Sequence, residues 1–273
     1  LMRYSERITT MQSSPIRKLA HIASSAKAKG IKIYHLNIGQ PDIKTPKVFF
    51  EAVKNFNNEV LEYAVSPGLP ELISSLQQYY TTYNMDFESD EILVTNGGSE
   101  ALLFALMATC DPKDNILVPE PFYSNYNGFS QSINVNITPI TTKAEEGFHL
   151  PSKEKIQSLI TSKTKAILIS NPGNPTGTVY TKKGLYMISE IAKENDLWII
   201  SDEVYREFVY DGLEYTSFGN IKEVEDRVII IDSVSKRYSA CGARIGSIAS
   251  KDKTLIAEIL KLCQGRLCVS TLD

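Results

Sequence analysis

The segment that decides the fold is residues 228–238, VIIIDSVSKRY, which Arg244 follows after a short interval. Its first four residues are apolar and β-branched, a composition typical of a buried strand. The strand is predicted to end at a polar turn that presents two hydroxyl groups, from Ser233 and Ser235, and the primary amine of Lys236. The segment therefore predicts a buried strand that carries an amine at its carboxyl end.

The amine of Lys236 and the guanidinium of Arg244 suit a particular kind of ligand. An amine at the end of a buried strand can lose solvation, and its neutral form is a nucleophile toward an aldehyde. The planar guanidinium fork binds two phosphate oxygens at once. An aldehyde that also carries a phosphate is pyridoxal 5'-phosphate. Taken alone, the segment is explained more simply by an ordinary loop with a solvated lysine. Other parts of the chain are needed to distinguish a cofactor-binding segment from such a loop.

The composition of the chain excludes several other classes of protein. The 273 residues, 42% apolar and 22% charged, are enough for one large domain with a smaller appendage. The net charge of −3 does not indicate a partner nucleic acid, and no apolar run reaches the ~20 residues of a membrane-spanning helix. The first residues lack the apolar block of a secretory signal. The cysteines and histidines have no metal-ligand spacing, so reduced thiols and a cytoplasmic location are expected.

From about residue 90, short apolar runs alternate with helical patterns. This alternation predicts a mostly parallel sheet that is covered by helices on both faces. The predicted strands are Ile92–Thr95, Ile116–Val118, Ala166–Ser170, Leu197–Ser201, Val228–Asp232 and Ile245–Ala249, and the helices include Ser99–Thr109, Ser152–Ile160 and Lys183–Asn195. Ligands of such sheets collect at the carboxyl ends of the strands. Polar segments at several of these ends predict one shared site, formed by residues 97–99, 171–177, Asp202 and residues 233–236.

Two of these segments have both a functional and a structural interpretation. Residues 96–100 (NGGSE) follow a strand and start a helix, where glycines let backbone amides approach a phosphate. Ser99 acting as an ordinary helix cap explains them equally well. Asp202 follows the apolar run 197–201, and a buried carboxylate is costly unless it is paired. A protonated pyridine nitrogen would pair with it and make the ring an electron sink, whereas the alternative is that Asp202 caps the next helix.

Aromatic and amide side chains complete the candidate site. Tyr205 is close enough to Asp202 in sequence to hydrogen-bond a ring phenolate. In the turn 171–177 (NPGNPTG), an asparagine amide could donate to the ring oxygen or to a substrate carboxylate, and a rigid connection is the alternative. Tyr123 follows another predicted strand and could stack on a planar cofactor, although ordinary packing is more common for a lone aromatic residue.

Together and in this order, the motifs resemble those of a pyridoxal-phosphate-dependent aminotransferase of class I/II, in the aspartate aminotransferase superfamily of fold type I. The resemblance runs from about residue 15 to the end of the chain. It rests on residues 36–42 (LNIGQPD), 63–68 (YAVSPG), 97–101 (GGSEA), 171–177 (NPGNPTG), 201–205 (SDEVY), and 233–236 (SVSK) with 244–246 (RIG). The implied fold is α/β: a large domain with a mostly parallel, seven-stranded type of sheet flanked by helices, plus an incomplete small domain.

The resemblance implies catalytic and ring-binding roles for five matching residues. Lys236 corresponds to the Schiff-base lysine, which also shuttles a proton between the substrate and the cofactor. Asp202 corresponds to the acid that pairs with the pyridinium nitrogen. Tyr205 and Asn174 correspond to the residues that bind the ring oxygen O3', and Tyr123 to the aromatic residue that stacks on the ring.

The resemblance also implies how the phosphate, the substrate and a second subunit are bound. The phosphate-binding residues would be Gly98, Ser99, Ser233 and Arg244. Tyr63 would reach the phosphate of a neighbouring subunit, which implies a homodimer with shared active sites. Gly39 would lie over the substrate carboxylate, and Asn174 would also bind the substrate.

The same resemblance divides the chain into domains. It implies an N-terminal arm and part of a small domain in residues 1–45, and the large cofactor-binding domain in residues 46–273. In this family a C-terminal segment carries an arginine that clamps the substrate carboxylate, and that part of the small domain is expected to be absent from the chain. Arg266, the last arginine, lies too soon after Lys236 to match it. Whether such a fragment turns over substrate by itself is left open.

The activity implied by the resemblance is transfer of an amino group between an L-amino acid and a 2-oxo acid, in a two-step ping-pong exchange. A C–S lyase, decarboxylase or synthase on the same scaffold would use the same cofactor residues, because the pocket decides which bond breaks. A cofactor-sensing, non-enzymatic homologue is disfavoured, since only a short arm precedes the first motif and the charge is wrong for DNA. A nicotinamide-dependent dehydrogenase is disfavoured because no G-x-G-x-x-G opens a helix after the first strand.

Overall fold

The computed structural model describes residues 3–272, apart from the side chain of Ile16. Within this range seven strands form one sheet: β1 (Ile92–Asn96), β2 (Asn115–Glu120), β3 (Asn136–Thr141), β4 (Thr164–Ser170), β5 (Trp198–Asp202), β6 (Val228–Ser233) and β7 (Ile245–Ala249). The α-helices are α1 (Glu6–Thr10), α2 (Ala20–Ala28), α3 (Lys47–Asn55), α4 (Pro70–Thr81), α5 (Gly97–Thr109), α6 (Asn125–Ser132), α7 (Lys153–Gln157), α8 (Lys182–Glu194), α9 (Val234–Arg237) and α10 (Lys253–Gly265). Short 3₁₀ helices lie at Pro15–Arg17, Ser89–Glu91, Ala144–Glu146, Phe218–Asn220, Lys222–Arg227 and Cys241–Ala243.

The strands of the sheet follow the order β1-β7-β6-β5-β4-β2-β3. Strands β6, β5, β4, β2 and β3 pair in parallel, and β7 is antiparallel to both of its neighbours. The start of β7 and the carboxyl ends of the other strands therefore lie along one edge. This architecture confirms the predicted α/β fold with its mostly parallel, seven-stranded sheet and flanking helices.

The side chains of the strands alternate between two apolar clusters, one on each face of the sheet. In β6, Ile230 packs into the first cluster with helices α4 and α8, and Ile229 and Ile231 pack into the second with α5, α6 and α10. All three isoleucines are fully buried, and each such side chain contributes about 1.5–3 kcal/mol relative to an exposed one. Because both faces are covered, the strand is apolar throughout and shows no polar alternation.

Some of the predicted element boundaries differ from the structure. Six of the seven strands are predicted; the one that is not, β3, is an edge strand that contains Pro139 and has Ile140 as its single buried residue. Proline is tolerated on an edge strand, but in the sequence it argues against a strand. Helix α5 begins at Gly97, so Ser99 lies inside the helix and is not its cap. Helix α7 ends at Gln157, three residues earlier than predicted.

The N-terminal part of the chain contrasts with the packed sheet. Helices α1, α2 and α3 contain no buried residue, and Ala64 is the first buried residue of the described chain. Exposed apolar side chains are concentrated in this part; that of Leu36 is 97% exposed. The predicted division into domains at residues 45 and 46 stays a prediction, and residues 1, 2 and 273 lie outside the described range. None of the helices described in residues 3–272 is both long and apolar enough to cross a membrane.

Candidate active site

The edge of the sheet where the strands end gathers the residues predicted to form the site. Asp202 is the last residue of β5, and Ser233 is the last residue of the neighbouring strand β6. Lys236 lies in α9, one turn beyond β6. Gly97 follows β1, and Arg244 comes directly before β7. The order of the strands thus brings together segments that are far apart in the sequence.

Asp202 is a buried acid whose hydrogen-bond partners carry no charge. The Tyr126 hydroxyl donates to its Oδ2 at 2.6 Å, and the backbone N–H of Val204 lies 3.4 Å from Oδ1. Burial raises the pKa of Asp202 to about 6, against the lowering effect of these two donors. No lysine, arginine or histidine within the described residues forms an ion pair with it. Residues 204–207 form a turn, so Asp202 does not cap a following helix.

The Lys236 side chain extends toward the loop that contains Gly39. Its Nζ donates a hydrogen bond to the Gly39 carbonyl oxygen at 2.6 Å and lies 5.8 Å from the centre of the Tyr205 ring. Ser233 caps α9, since its hydroxyl accepts a bond from the Ser235 backbone N–H at 3.0 Å. The cap fixes the turn from which the lysine projects.

Tyr205 and Asn174 meet at the same edge of the sheet. The amide nitrogen Nδ2 of Asn174 donates to the Tyr205 hydroxyl at 3.4 Å. Burial raises the pKa of Tyr205 to about 12, so the hydroxyl is protonated at neutral pH and can donate a hydrogen bond. The turn 171–177 and the turn after β5 therefore present two hydrogen-bond donors side by side.

Arg244 lies against the start of α5, where the backbone packs unusually closely. Gly97 has a left-handed φ of +75°, and a β-carbon there would overlap the Arg244 guanidinium. A β-carbon on Gly246 would lie 2.6 Å from the backbone nitrogen of Gly98. Arg244 Nη1 donates to the Cys241 carbonyl oxygen at 2.9 Å. A guanidinium beside a helix N-terminus is a suitable arrangement for an anion such as phosphate.

We expect Gly246→Ala to disturb this close packing, because backbone atoms of the α5 start would have to move. The expected cost is about 1–3 kcal/mol of unfolding free energy, together with weaker binding of phosphate-bearing ligands. Urea unfolding and ligand titration would measure the two effects. Gly242→Ala is the matched control, since a β-carbon on Gly242 has nothing within 4 Å. Equal stability of the two variants would show that the close approach is not needed.

A buried charge network lies behind the site, and the sequence did not reveal it. Asp232 accepts bonds from Arg206 at 2.8 Å and from Arg237 at 2.9 Å, and Glu203 accepts from Arg206 at 2.8 Å. Burial alone would raise the pKa of Asp232, but the two guanidinium groups outweigh it and hold that pKa below its usual range. Glu203, Asp232 and Arg237 are direct sequence neighbours of Asp202, Ser233 and Lys236, and Arg206 follows Asp202 by four residues.

The remaining residues predicted for the active site differ in how far they are buried. Tyr123 is partly buried and makes an edge contact with Tyr126, with ring centres 5.5 Å apart. Ser99 and Gly98 lie in the first turn of α5 and are partly buried. Tyr63, by contrast, is 82% exposed.

Comparison with known proteins identifies the family to which this fold and edge-of-sheet site belong. The family model described as aminotransferase class I and II matches residues 31–272, and the chain belongs to this family. It is 34% identical to a probable aspartate aminotransferase from Methanocaldococcus jannaschii, over 98% of the chain and 70% of the relative. It is 32% identical to an asparagine–oxo-acid transaminase from Streptococcus mutans, over 96% of the chain and 67% of the relative.

Solved structures give the same result. The crystal structure of the aspartate aminotransferase from Thermotoga maritima superposes with a TM-score of 0.93 at 32% identity, covering 98% of this chain and 72% of that one. An alanine aminotransferase from Pyrococcus furiosus superposes with a TM-score of 0.90 at 35% identity, covering 99% and 70%. The predicted family is therefore confirmed, and it is a family that depends on pyridoxal 5'-phosphate.

Proposed function

We propose that the protein transfers an amino group between an L-amino acid and a 2-oxo acid, with pyridoxal 5'-phosphate as its cofactor. The observation that carries this proposal is the buried carboxyl of Asp202, whose hydrogen-bond donors are neutral. A buried carboxylate is stabilised by a cation, and the protonated ring nitrogen of the cofactor is one. The Lys236 amine and the Arg244 guanidinium, at the same edge of the sheet, suit the other two functional groups of the ligand.

The proposed binding residues would contact different parts of the cofactor. Lys236 would hold its aldehyde carbon covalently, and Asp202 would face its ring nitrogen. Tyr205 and Asn174 would donate to the ring oxygen, and Tyr123 would stack on the ring. The phosphate ligands would be Gly98, Ser99, Ser233 and Arg244, which combine backbone amides of the α5 start with two hydroxyls and a guanidinium.

The reaction depends on the control of two protons by this chain. When bound, the cofactor supplies an electron sink for the electron pair that remains after the substrate α-proton leaves. Lys236, freed when the substrate amine takes its place on the aldehyde carbon, would take that proton from the α-carbon and deliver it to the former aldehyde carbon. Asp202 would keep a proton on the ring nitrogen, since its carboxylate stabilises the cationic form. Gly39 and Asn174 would position the substrate carboxylate, and the bond from Lys236 to the Gly39 carbonyl supports that arrangement.

The exposed N-terminal surface supports a homodimer with shared sites. Helices α1, α2 and α3 leave apolar side chains uncovered, and Tyr63 is exposed as well. In a dimer, Tyr63 would reach the phosphate held by the neighbouring subunit. The four free cysteines fit a reducing compartment, and we place the protein in the cytoplasm.

The relatives described above are aminotransferases, which favours transamination over a C–S lyase, decarboxylase or synthase reaction, but these relatives differ in substrate. Those reported above are named for aspartate, asparagine and alanine. The proposal therefore stops at the class of L-amino acid and 2-oxo acid.

A panel of amino acids tests the proposed reaction. The purified protein is incubated with pyridoxal 5'-phosphate and each L-amino acid, and the visible spectrum and the products are recorded. We expect one or a few amino acids to change the cofactor absorbance and to yield the matching 2-oxo acid. Carbon dioxide, ammonia or a thiol as the product instead would assign the chain to another reaction on this scaffold.

A further inference from the structure

Tyr126 makes a short hydrogen bond to the acid proposed to face the cofactor ring. Its hydroxyl donates to Oδ2 of Asp202 at 2.6 Å, and both side chains are buried. A donor–acceptor distance in this range is typical of a hydrogen bond to an ionised carboxylate, which is about twice as strong as a neutral one. No sequence motif joins Tyr126 to Asp202, since Tyr126 lies on α6, seventy-six residues before the acid.

The position of the Tyr126 hydroxyl is fixed independently of Asp202. The Tyr126 ring packs into the second apolar cluster, stacked on Phe122 with ring centres 6.1 Å apart and in edge contact with Tyr123 at 5.5 Å. Burial raises the pKa of Tyr126 far above its usual value, and the negative charge of Asp202 raises it further. The hydroxyl therefore keeps its proton at neutral pH and acts as a donor to the carboxylate.

We infer that Tyr126 is a positioning residue that holds the Asp202 carboxyl ionised and oriented toward the cofactor. Its part in orienting the cofactor rests on the proposed function, whereas its effect on the ionisation of Asp202 does not. The hydroxyl touches neither substrate nor cofactor and acts through the carboxylate. The Tyr126 hydroxyl stabilises the buried Asp202 carboxylate, and the negative charge of that carboxylate would hold a proton on the ring nitrogen.

The surroundings of Asp202 explain why one hydroxyl matters. Burial raises the pKa of the carboxyl most, and the carboxylates of Asp232 and Glu203 raise it further. Among the principal influences on this pKa, only the hydrogen bonds from the Tyr126 hydroxyl and the Val204 N–H lower it. The bond from Val204 is long, at 3.4 Å. Tyr123 and Tyr205, which also lie nearby, are neutral because burial raises their pKa values too. Among the described residues, the basic side chains at this edge are Lys236, 5.8 Å from the centre of the Tyr205 ring, and Arg244, and neither forms an ion pair with Asp202.

The first test measures the ionisation of Asp202 in the protein without cofactor. The pKa of Asp202 is raised to about 6, so the folded protein holds this proton more tightly than the unfolded chain does. The contribution of Asp202 to the unfolding free energy therefore falls as the pH rises from about 4 to about 6, and Asp202→Asn should remove this contribution from the pH profile. In Tyr126→Phe this decrease in unfolding free energy should continue to a pH about one unit higher, because the variant lacks a hydrogen bond to the charged carboxylate.

The second test measures cofactor affinity as a function of pH in the same variants. The low-pH loss of pyridoxal 5'-phosphate binding should move upward by about one unit in Tyr126→Phe. With Asn at position 202, Tyr126→Phe should change the affinity less than twofold, because the carboxylate through which the hydroxyl acts is gone. Tyr180→Phe is the matched control, as it removes a hydroxyl from a buried tyrosine of the other apolar cluster.

The outcomes separate this inference from the proposed function. If Tyr126→Phe leaves the unfolding profile unchanged relative to Tyr180→Phe, or acts equally with Asp or Asn at position 202, Tyr126 only packs and the inference is wrong. If the wild-type protein fails to bind the cofactor, the proposed function is wrong. The unfolding profiles still decide whether Tyr126 keeps Asp202 ionised.

Discussion

Lys236→Ala is expected to abolish covalent attachment of pyridoxal 5'-phosphate. Borohydride reduction of the wild-type protein with the cofactor should fix the ligand irreversibly, and peptide mapping should find it on the peptide that contains Lys236. The alanine variant should show no fixed label and no absorbance from the covalent link, because no amine remains at that position. Activity should fall by roughly 10²–10⁴-fold from the loss of proton transfer alone.

Two further variants separate chemistry from structure in this experiment. Lys236→Arg keeps a positive charge near the Gly39 carbonyl, which the lysine contacts at 2.6 Å, but it cannot form the covalent link. Lys261→Ala removes an exposed lysine that pairs with Glu258 on α10, so labelling should be unchanged. A label that persists in Lys236→Ala would place the attachment on another amine and would overturn the assignment of the site.

The parts of the fold that the sequence predicted are those in which local pattern and burial agree. Strand β6 is apolar along its length because both of its faces are covered, so its composition alone indicated a buried strand. Strand β3 has the opposite character: it lies at the edge, contains Pro139 and is polar at three of its six positions, so only its pairing with β2 defines it. Strand β7 was predicted as a strand, but its antiparallel direction depends on the three-dimensional path of the chain.

The parts of the candidate site that the sequence predicted are residues that carry chemistry in recognisable motifs. Lys236 and Asp202 follow apolar runs, and the strand order brings them to the same edge. Tyr126 lies within no such motif and matters only because its side chain, in the second cluster, reaches Asp202 at the end of β5. A contact of this kind comes from tertiary packing and has no local signal.

The buried charge network shows a signal that could have been found. Side chains of consecutive residues point to opposite sides of an extended chain. If Asp202 faces the site, Glu203 must face away from it, and the same holds for Ser233 and Asp232. Two acids that face away from the site into a core require cations, and Arg206 and Arg237 follow Glu203 and Asp232 within five residues in the sequence.

Asp202→Asn is expected to slow exchange of the substrate α-proton by roughly 10²–10³-fold, the scale seen when one preorganised electrostatic partner is removed. The amide keeps the shape of the side chain and can still accept the Tyr126 hydroxyl, but it carries no charge to hold a proton on the cofactor ring. Cofactor affinity should fall as well. Exchange into deuterated water, followed by proton NMR of the amino acid, measures the step directly and does not require a complete transamination cycle.

Loss of folding does not explain this expected effect, because an ionised Asp202 destabilises the protein without its cofactor. A pKa raised to about 6 corresponds to a cost of about 3 kcal/mol above that pH. Asp202→Asn should therefore be at least as stable as the wild type at neutral pH while exchanging the proton more slowly. Asp226→Asn, on the exposed surface beside Arg227, is the control and should change neither property. Wild-type exchange rates in Asp202→Asn would refute the role of this carboxylate and leave its burial without a functional explanation.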